Sequence, residues 1–446
     1  MNLLDPASAL GRALGLLLRN KAALGALIVR GTGVTAGFAL TYLIARWFGP
    51  EANGIYALIV QSAMFLSVVA VGGLDLAVVR EFSRSVALGV KPARASVVGV
   101  LLQTSVIALS LGGLMLVFEP FVIPWLLGDV SVKWAGAILA ALILQRALIR
   151  IIAAVLRSQL RQSLSQAVEL LMLPMLTILI IVAQDLGPQS VDAILEASLL
   201  AGVIVVAVGV GVLLKDSVGD PTGLKIQQSS LFRTALPMWG VAISQNLGDW
   251  YGLVTLNQWA GAAETGIFRV SWQIATVLPI IALSLQSTFA AQIASAAHNG
   301  QRAEMARLSR TATNLSALIF VPVAALVFIF AEEVLAVFGP EFHSGAATLR
   351  VLIIGQTVIA GLGIAGQVLV MAGHARTNLM IGLSSTLITL VAAPFAAAAA
   401  GGLGVALVFS GAYILKIAMF HQAIRRLEGF NAFTARIYSS KYDQGH

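Results

Sequence analysis

The sequence predicts an all-α integral membrane protein of about twelve transmembrane helices, arranged as two six-helix lobes related by an internal repeat. Three observations carry that expectation. Of 446 residues, 58% are hydrophobic and only 11% are charged, whereas a soluble domain carries about 25% charged residues. The apolar runs reach about 20 residues or more, enough to cross a hydrocarbon core of about 30 Å at about 1.5 Å per residue. A third signal is a segment that recurs half a chain later. Trp47-Phe-Gly-Pro-Glu-Ala-Asn-Gly-Ile-Tyr-Ala-Leu58 returns, 212 residues on (259 − 47), as Trp259-Ala-Gly-Ala-Ala-Glu-Thr-Gly-Ile-Phe-Arg-Val270. Trp, Gly, Gly and Ile recur in step, and each copy lies between two long apolar runs. Two similar membrane halves are a common plan for proteins that alternate between the faces of a bilayer.

Residues 1–21 hold Arg12, Arg19 and Lys21, and no small-residue cleavage site follows a short apolar core, so they read as an uncleaved cytoplasmic start. A first lobe over 22–214 contains spans near 22–46, 53–78, 96–118, 134–156, 164–184 and 193–214. A cytoplasmic linker, 215–230, leads to a second lobe over 231–422, with spans near 231–255, 265–292, 311–331, 345–371, 377–399 and 402–422. Residues 423–446 form a cytoplasmic tail. Pro174, Pro237, Pro279 and Pro394 fall inside spans and should kink or break them.

Charge orients this arrangement. Arg80, Arg84, Lys91 and Arg94 follow span 2, Arg157 and Arg161 follow span 4, and Lys215, Lys225 and Arg233 follow span 6. Arg302, Arg307 and Arg310 follow span 8, Arg376 follows span 10, and Lys416, Arg425, Arg426, Arg436 and Lys441 close the chain. The opposite loops hold only Arg46 and Lys133, so the positive-inside rule places both termini in the cytoplasm. Trp47, Trp125, Trp134, Trp250 and Trp259 fall at the opposite interface, which amphipathic rings favour. The net charge of +8 is then a cytoplasmic rim that attracts anionic lipid heads and requires no nucleic-acid partner.

No loop is long enough for a soluble catalytic domain. The chain has no P-loop, no HExxH, no paired carboxylates on one loop and no Cys, which argues against an ATP-driven pump, an enzyme or a thiol-ligated metal.

Five arginines and three acids stand inside spans: Arg30, Arg146, Arg150, Arg269, Arg350, Asp75, Glu169 and Asp249. Charge at the bilayer centre is costly and usually faces a bundle interior or a wet cavity. Arg146 and Arg150 are four residues apart and share one face of span 4. With Arg30 they could form a cationic cavity for an anionic headgroup, since Arg forks match phosphate oxygens. Alternatively they lock helices together, Arg150 with Glu169 above all. Arg269 and Arg350 lie about one turn inside the outer interface, where snorkelling accounts for both. Asp249, in Ser244-Gln-Asn-Leu-Gly-Asp-Trp-Tyr251, suits a coupling cation together with Asn246, or else pairs with Arg269. Asn378 and the Ser/Thr residues after it could add oxygens.

The stretch Leu43-Ile-Ala-Arg-Trp-Phe-Gly-Pro-Glu-Ala-Asn-Gly-Ile-Tyr56, its second copy around Gly266-Ile-Phe268, and twelve spans with short basic loops resemble the polysaccharide-transport branch of the MOP superfamily, which includes Wzx-type oligosaccharide flippases. The resemblance covers nearly the whole chain. It implies a flippase in a bacterial inner membrane for a polyprenyl-diphosphate-linked oligosaccharide, a surface-polysaccharide precursor. Arginines would hold the diphosphate, and polysaccharide polymerase machinery would act alongside. No cofactor is implied beyond a Na+ or proton gradient or the membrane potential as the driving force. The lipid II flippase of the superfamily looks similar but carries an Arg-Asp pair where this chain has Leu40-Thr41, and a charged span-8 motif where it has Ser271-Trp272-Gln273. Lipid II therefore ranks below a surface-polysaccharide precursor. Three further readings compete with a flippase. A MATE-like cation or multidrug antiporter would prefer an acidic cavity, a membrane polysaccharide polymerase or ligase would need a large outer loop, and a non-transporting membrane scaffold would not need midplane arginines.

Overall fold

The computed structural model describes residues 21–87, 92–128, 130–184, 190–216 and 228–431, almost all of them helical. They belong to two compact units, one running to Gly266 and the other starting at Ile267. The seventh span therefore goes with the first six. Most of the linker expected at 215–230 lies outside the described residues.

In the first unit, α1 (Lys21–Val71) and α2 (Leu74–Ala87) precede α3 (Arg94–Val117), α4 (Glu119–Leu127) and α5 (Ala135–Ser158). Next, α6 (Gln162–Gln166) passes through a π-helical turn, Ala167–Leu171, into α7 (Met172–Ala183), followed by α8 (Val191–Asp216). The unit closes with the first part of α9 (Gln228–Val277). The second unit holds the rest of α9, then α10 (Ile280–His298), α11 (Arg302–Ile329), α12 (Ala331–Ala336), a 3-10 turn (Pro340–Gly345), α13 (Ala346–Leu362), α14 (Ile364–Met371) and α15 (Ala375–Leu427).

Eight described segments are long and apolar enough to cross a membrane, and two of these, Gly25–Val71 and Ala375–Leu427, contain 47 and 53 residues. A straight 50-residue helix would extend about 75 Å, more than twice a hydrocarbon core. Backbone breaks divide the long helices into legs of crossing length. α1 turns at Gly49 (φ 81°, ψ −179°) and α9 at Gly261 (φ 84°, ψ 173°). Those two glycines are themselves 212 residues apart (261 − 49), so the sequence repeat is also a repeat of backbone conformation. Only glycine enters this region without a Cβ penalty. Pro50 follows at the start of the second leg, where its missing N–H costs nothing. α15 breaks at Ala400 and Gly401.

The prolines behave unevenly. Pro279 separates α9 from α10, and Pro174 sits just past the π turn, whereas Pro394 lies within α15, whose break falls six residues later. Side-chain detail at Pro237 lies outside the described residues.

The two copies of the repeat also touch. A Cβ on Gly54 would run into the carbonyl of Ala262, and a Cβ on Gly266 into the carbonyl of Pro50. With the 212-residue offset, these are the same contact made in both directions. Asn53 Nδ2 donates to the Gly266 carbonyl oxygen (3.0 Å) and pins the seam.

Within the first unit α5 is the hub, packed by α1, α2, α3 and α8. Ile151 to Leu156 are fully buried on every side, as expected of a helix apolar all round. The second unit has its own core, where Ile293, Ala312, Ile364, Ala365, Val368 and Ile424 draw α10, α11, α14 and α15 together.

Candidate functional site

The site grows from the middle of α5. Arg146 and Arg150 stand one turn apart on one face, both half-buried. Arg150 Nη2 donates to Asp75 Oδ2 at 2.8 Å. Asp75 is only 5% exposed and opens α2, just after the left-handed pair Gly72 (φ 61°) and Gly73 (φ 76°). Gly73 is required there, since a Cβ would strike the carbonyl of Ala235. The opening turn of a helix favours a carboxylate.

This pairing corrects an expectation from the sequence. Glu169 does not meet Arg150; it sits on the π turn and pairs with Arg157 at 3.6 Å. The π turn inserts a residue into the ladder and re-aims that face of the helix. A close approach of α1, where Gly33 abuts Leu170, holds the turn in place.

Arg146 differs from its neighbour. Among the described residues no carboxylate pairs with it, and its Nε is buried without a hydrogen-bond partner. Next to it, Gln145 is buried and donates from Nε2 to the Ser198 carbonyl (3.2 Å), while Tyr56 Oη and Ser198 Oγ lie 3.2 Å apart. Gln145 fits because residue 202 is glycine, where a Cβ would fall on the Gln145 amide. Buried polar atoms without a hydrogen-bond partner include both amide atoms of Gln103 and Oγ1 of Thr104 on α3, and Gln145 Oε1 and the Nε atoms of Arg146, Arg150 and Arg157 on α5. Each such group costs about 1–3 kcal/mol unless something satisfies it. A polar guest or water is the usual remedy.

The remaining sequence candidates lie elsewhere. Arg30 is exposed on the first leg of α1, whereas Arg146 and Arg150 are half-buried on α5. Arg350 does more than snorkel: it pairs with Glu332 at 3.2 Å and donates from Nε to the Phe328 carbonyl. Asp249 is half-buried in the first unit, and Arg269 is half-buried in the second. Asn246 donates to the Ala242 carbonyl of its own helix (2.8 Å), and Asn378 is half-buried in the first turn of α15.

Two features are not evident from the sequence. Asp75 as the partner of Arg150 is signalled only by the double glycine just before it. Lys416, which the charge pattern groups with the cytoplasmic end, sits eleven residues inside the end of α15, with Nζ 5.6 Å from the Tyr413 ring centre. Tyr413 in turn stacks on Trp272.

Comparisons with known proteins agree with this architecture. Residues 237–395 match the family model MatE. No curated protein sequence matches the chain. Among solved structures, the lipid II flippase MurJ in an inward closed conformation aligns with TM-score 0.72 at 13% identity, covering 91% of this chain and 87% of that one. An inward-facing multidrug resistance MATE family transporter of the MOP superfamily aligns at 0.68 and 16% identity, covering 89% and 98%. An outward-facing MATE transporter aligns at 0.60 and 15%, covering 91% and 94%. At these identities the likeness establishes architecture: the chain has the fold shared by MATE transporters and MurJ, and carries a MatE-type segment within it.

Proposed function

We propose that the chain is an alternating-access flippase that carries a polyprenyl-diphosphate-linked oligosaccharide, a precursor of a surface or exopolysaccharide, from the cytoplasmic to the outer leaflet of a bacterial inner membrane. The observation that carries this reading is Arg146, a guanidinium in the middle of α5 with no carboxylate partner among the described residues. Arg150 stands one turn away on the same face. Two arginine forks about 6 Å apart along a helix suit the two phosphates of a diphosphate. The fold likeness to a protein named as a lipid II flippase supports cargo of this class. Both termini lie in the cytoplasm in this reading. A Na+ or proton gradient or the membrane potential drives reorientation, with Asp249, Asn246 and Asn378 as candidate ion ligands, and polymerase machinery receives the product.

The MatE match over 237–395 favours a second reading, a cation or multidrug antiporter. Such a carrier needs an acidic centre for its cargo, whereas the cluster formed by α5 and the head of α2 has two arginines and one aspartate.

Mass spectrometry of polyprenyl-linked lipids from cells depleted of the protein separates the two. The flippase reading expects one diphosphate-linked oligosaccharide to accumulate and the matching surface glycan to disappear. An unchanged lipid pool with raised sensitivity to cationic drugs would favour the antiporter.

A further inference from the structure

Asp75 has a role that anion binding alone does not use. It sits where a span breaks, at the head of α2, and the Gly72–Gly73 break is fixed by close packing on the Ala235 carbonyl. Small cations in membrane carriers are commonly held at broken helices, by unwound carbonyls and half-helix C-terminal ends, and here the end of α1 at Val71 lies just before Asp75. The position is occupied by an arginine. Asp75 Oδ1 accepts from the Leu76 N–H (2.9 Å) and Oδ2 from Arg150 Nη2 (2.8 Å). Among the described residues Arg150 is the only cation paired with it.

The pair is lopsided. The Asp75 side chain is 7% exposed and that of Arg150 is 29%, so the arginine is reached from outside and the carboxylate is not. Arg150 Nε is buried and unpaired, so its fork is only partly used. One turn along α5 stands Arg146, without a carboxylate partner among the described residues. Arg157 and Glu169, the next charges along this face, neutralise each other. Arg146, Arg150 and Asp75 therefore sum to one positive charge. A lipid diphosphate esterified at both ends carries two negative charges. Bringing it in leaves one uncompensated negative charge, which one monovalent cation cancels.

We propose that Asp75 is a cation-exchange seat. Arg150 is its resident counter-ion; an anionic ligand that engages Arg146 draws Arg150 out of the pair, and a proton or Na+ takes the place it leaves on Asp75. This rests on the diphosphate reading above, seats the coupling cation on Asp75 rather than at Asp249, and adds a stoichiometry: one cation bound per headgroup. A buried carboxylate stripped of its arginine is costly to leave charged. Linkage then makes the effect reciprocal, with the cation promoting anion binding as much as the anion promotes cation binding.

The test is calorimetry on the full chain in nanodiscs. The probe is a short-chain prenyl-diphosphoryl N-acetylglucosamine, whose diphosphate diester does not titrate near neutral pH. Repeating the titration in two buffers of different ionisation enthalpy counts protons, and repeating it across Na+ concentrations counts Na+. Wild type is expected to take up about one cation per ligand, with the buffer series and the Na+ series telling which. Asp75→Asn is expected to lose that uptake and to bind about tenfold more tightly, because Arg150 no longer has to be pulled from a carboxylate. Asp75→Asn/Arg150→Gln removes both charges and so keeps the test open if the single variant misfolds; it should bind weakly through Arg146, with no uptake. Uptake that persists in either variant, or wild-type binding without uptake, overturns the exchange and leaves the diphosphate reading standing. No binding by wild type overturns both.

Discussion

Arg146→Ala is expected to abolish glycan export while the protein stays folded in the membrane. Its Nε is buried and unpaired and no carboxylate among the described residues depends on it, so its removal strands nothing. What is lost is a charge-assisted contact to the ligand, worth about 1.5–3 kcal/mol, or about 10–150-fold in affinity. Arg150→Ala should cost export and also stability. It leaves Asp75, 5% exposed, without its cation, and breaking a buried pair from one side typically costs about 3–5 kcal/mol. Asp75→Asn should restore much of that stability without restoring export. The Arg146→Ala/Arg150→Ala protein should export nothing. Surface glycan measured alongside detergent melting temperature checks the set. Normal export from well-expressed Arg146→Ala protein would remove the arginine from any binding role.

Gly54→Leu and Gly266→Leu are each expected to prevent accumulation of folded protein. The new Cβ would enter the Ala262 carbonyl in one case and the Pro50 carbonyl in the other, and a backbone cannot yield as a side-chain end can. Overpacking of even ordinary cores costs about 1–3 kcal/mol, and a branched side chain forced into two backbones should exceed that. Gly49→Ala provides the contrast. Open space surrounds that position, so only its φ of 81° is penalised, at about 1–2 kcal/mol. Melting temperatures should therefore rank wild type above Gly49→Ala, with the two leucine variants far below. Equal losses at 49 and 54 would contradict the reciprocal seam.

Much of the fold is legible because membrane spans are written in one dimension. An apolar run of crossing length declares itself, and the echo between Trp47 and Trp259 marks both turn glycines, Gly49 and Gly261. The boundary expected between the spans near 377–399 and 402–422 is where α15 breaks, at Ala400–Gly401, while Pro394 stays within the helix. Partner choice is the least legible part. Arg150 lies 19 residues from Glu169 (169 − 150) and 75 from Asp75 (150 − 75), so proximity in sequence suggests the wrong carboxylate. Helix packing decides the matter, because α2 lies against α5, while the π turn brings Glu169 to Arg157 instead. Lys416 is misleading for a related reason. The expected span 402–422 already contains residue 416, yet the charge count assigns that lysine to the basic tail; α15 runs on to Leu427 and leaves it well inside the helix.

The most direct measurement is translocation by the purified protein in liposomes. Vesicles would carry either a fluorescent polyprenyl-diphosphoryl oligosaccharide or a cationic dye, under an imposed ion gradient. The flippase account predicts that the wild-type protein moves the glycolipid between leaflets, that Arg146→Ala does not, and that the dye stays where it was. Transport of the dye with the glycolipid left in its leaflet would contradict it and point to the antiporter.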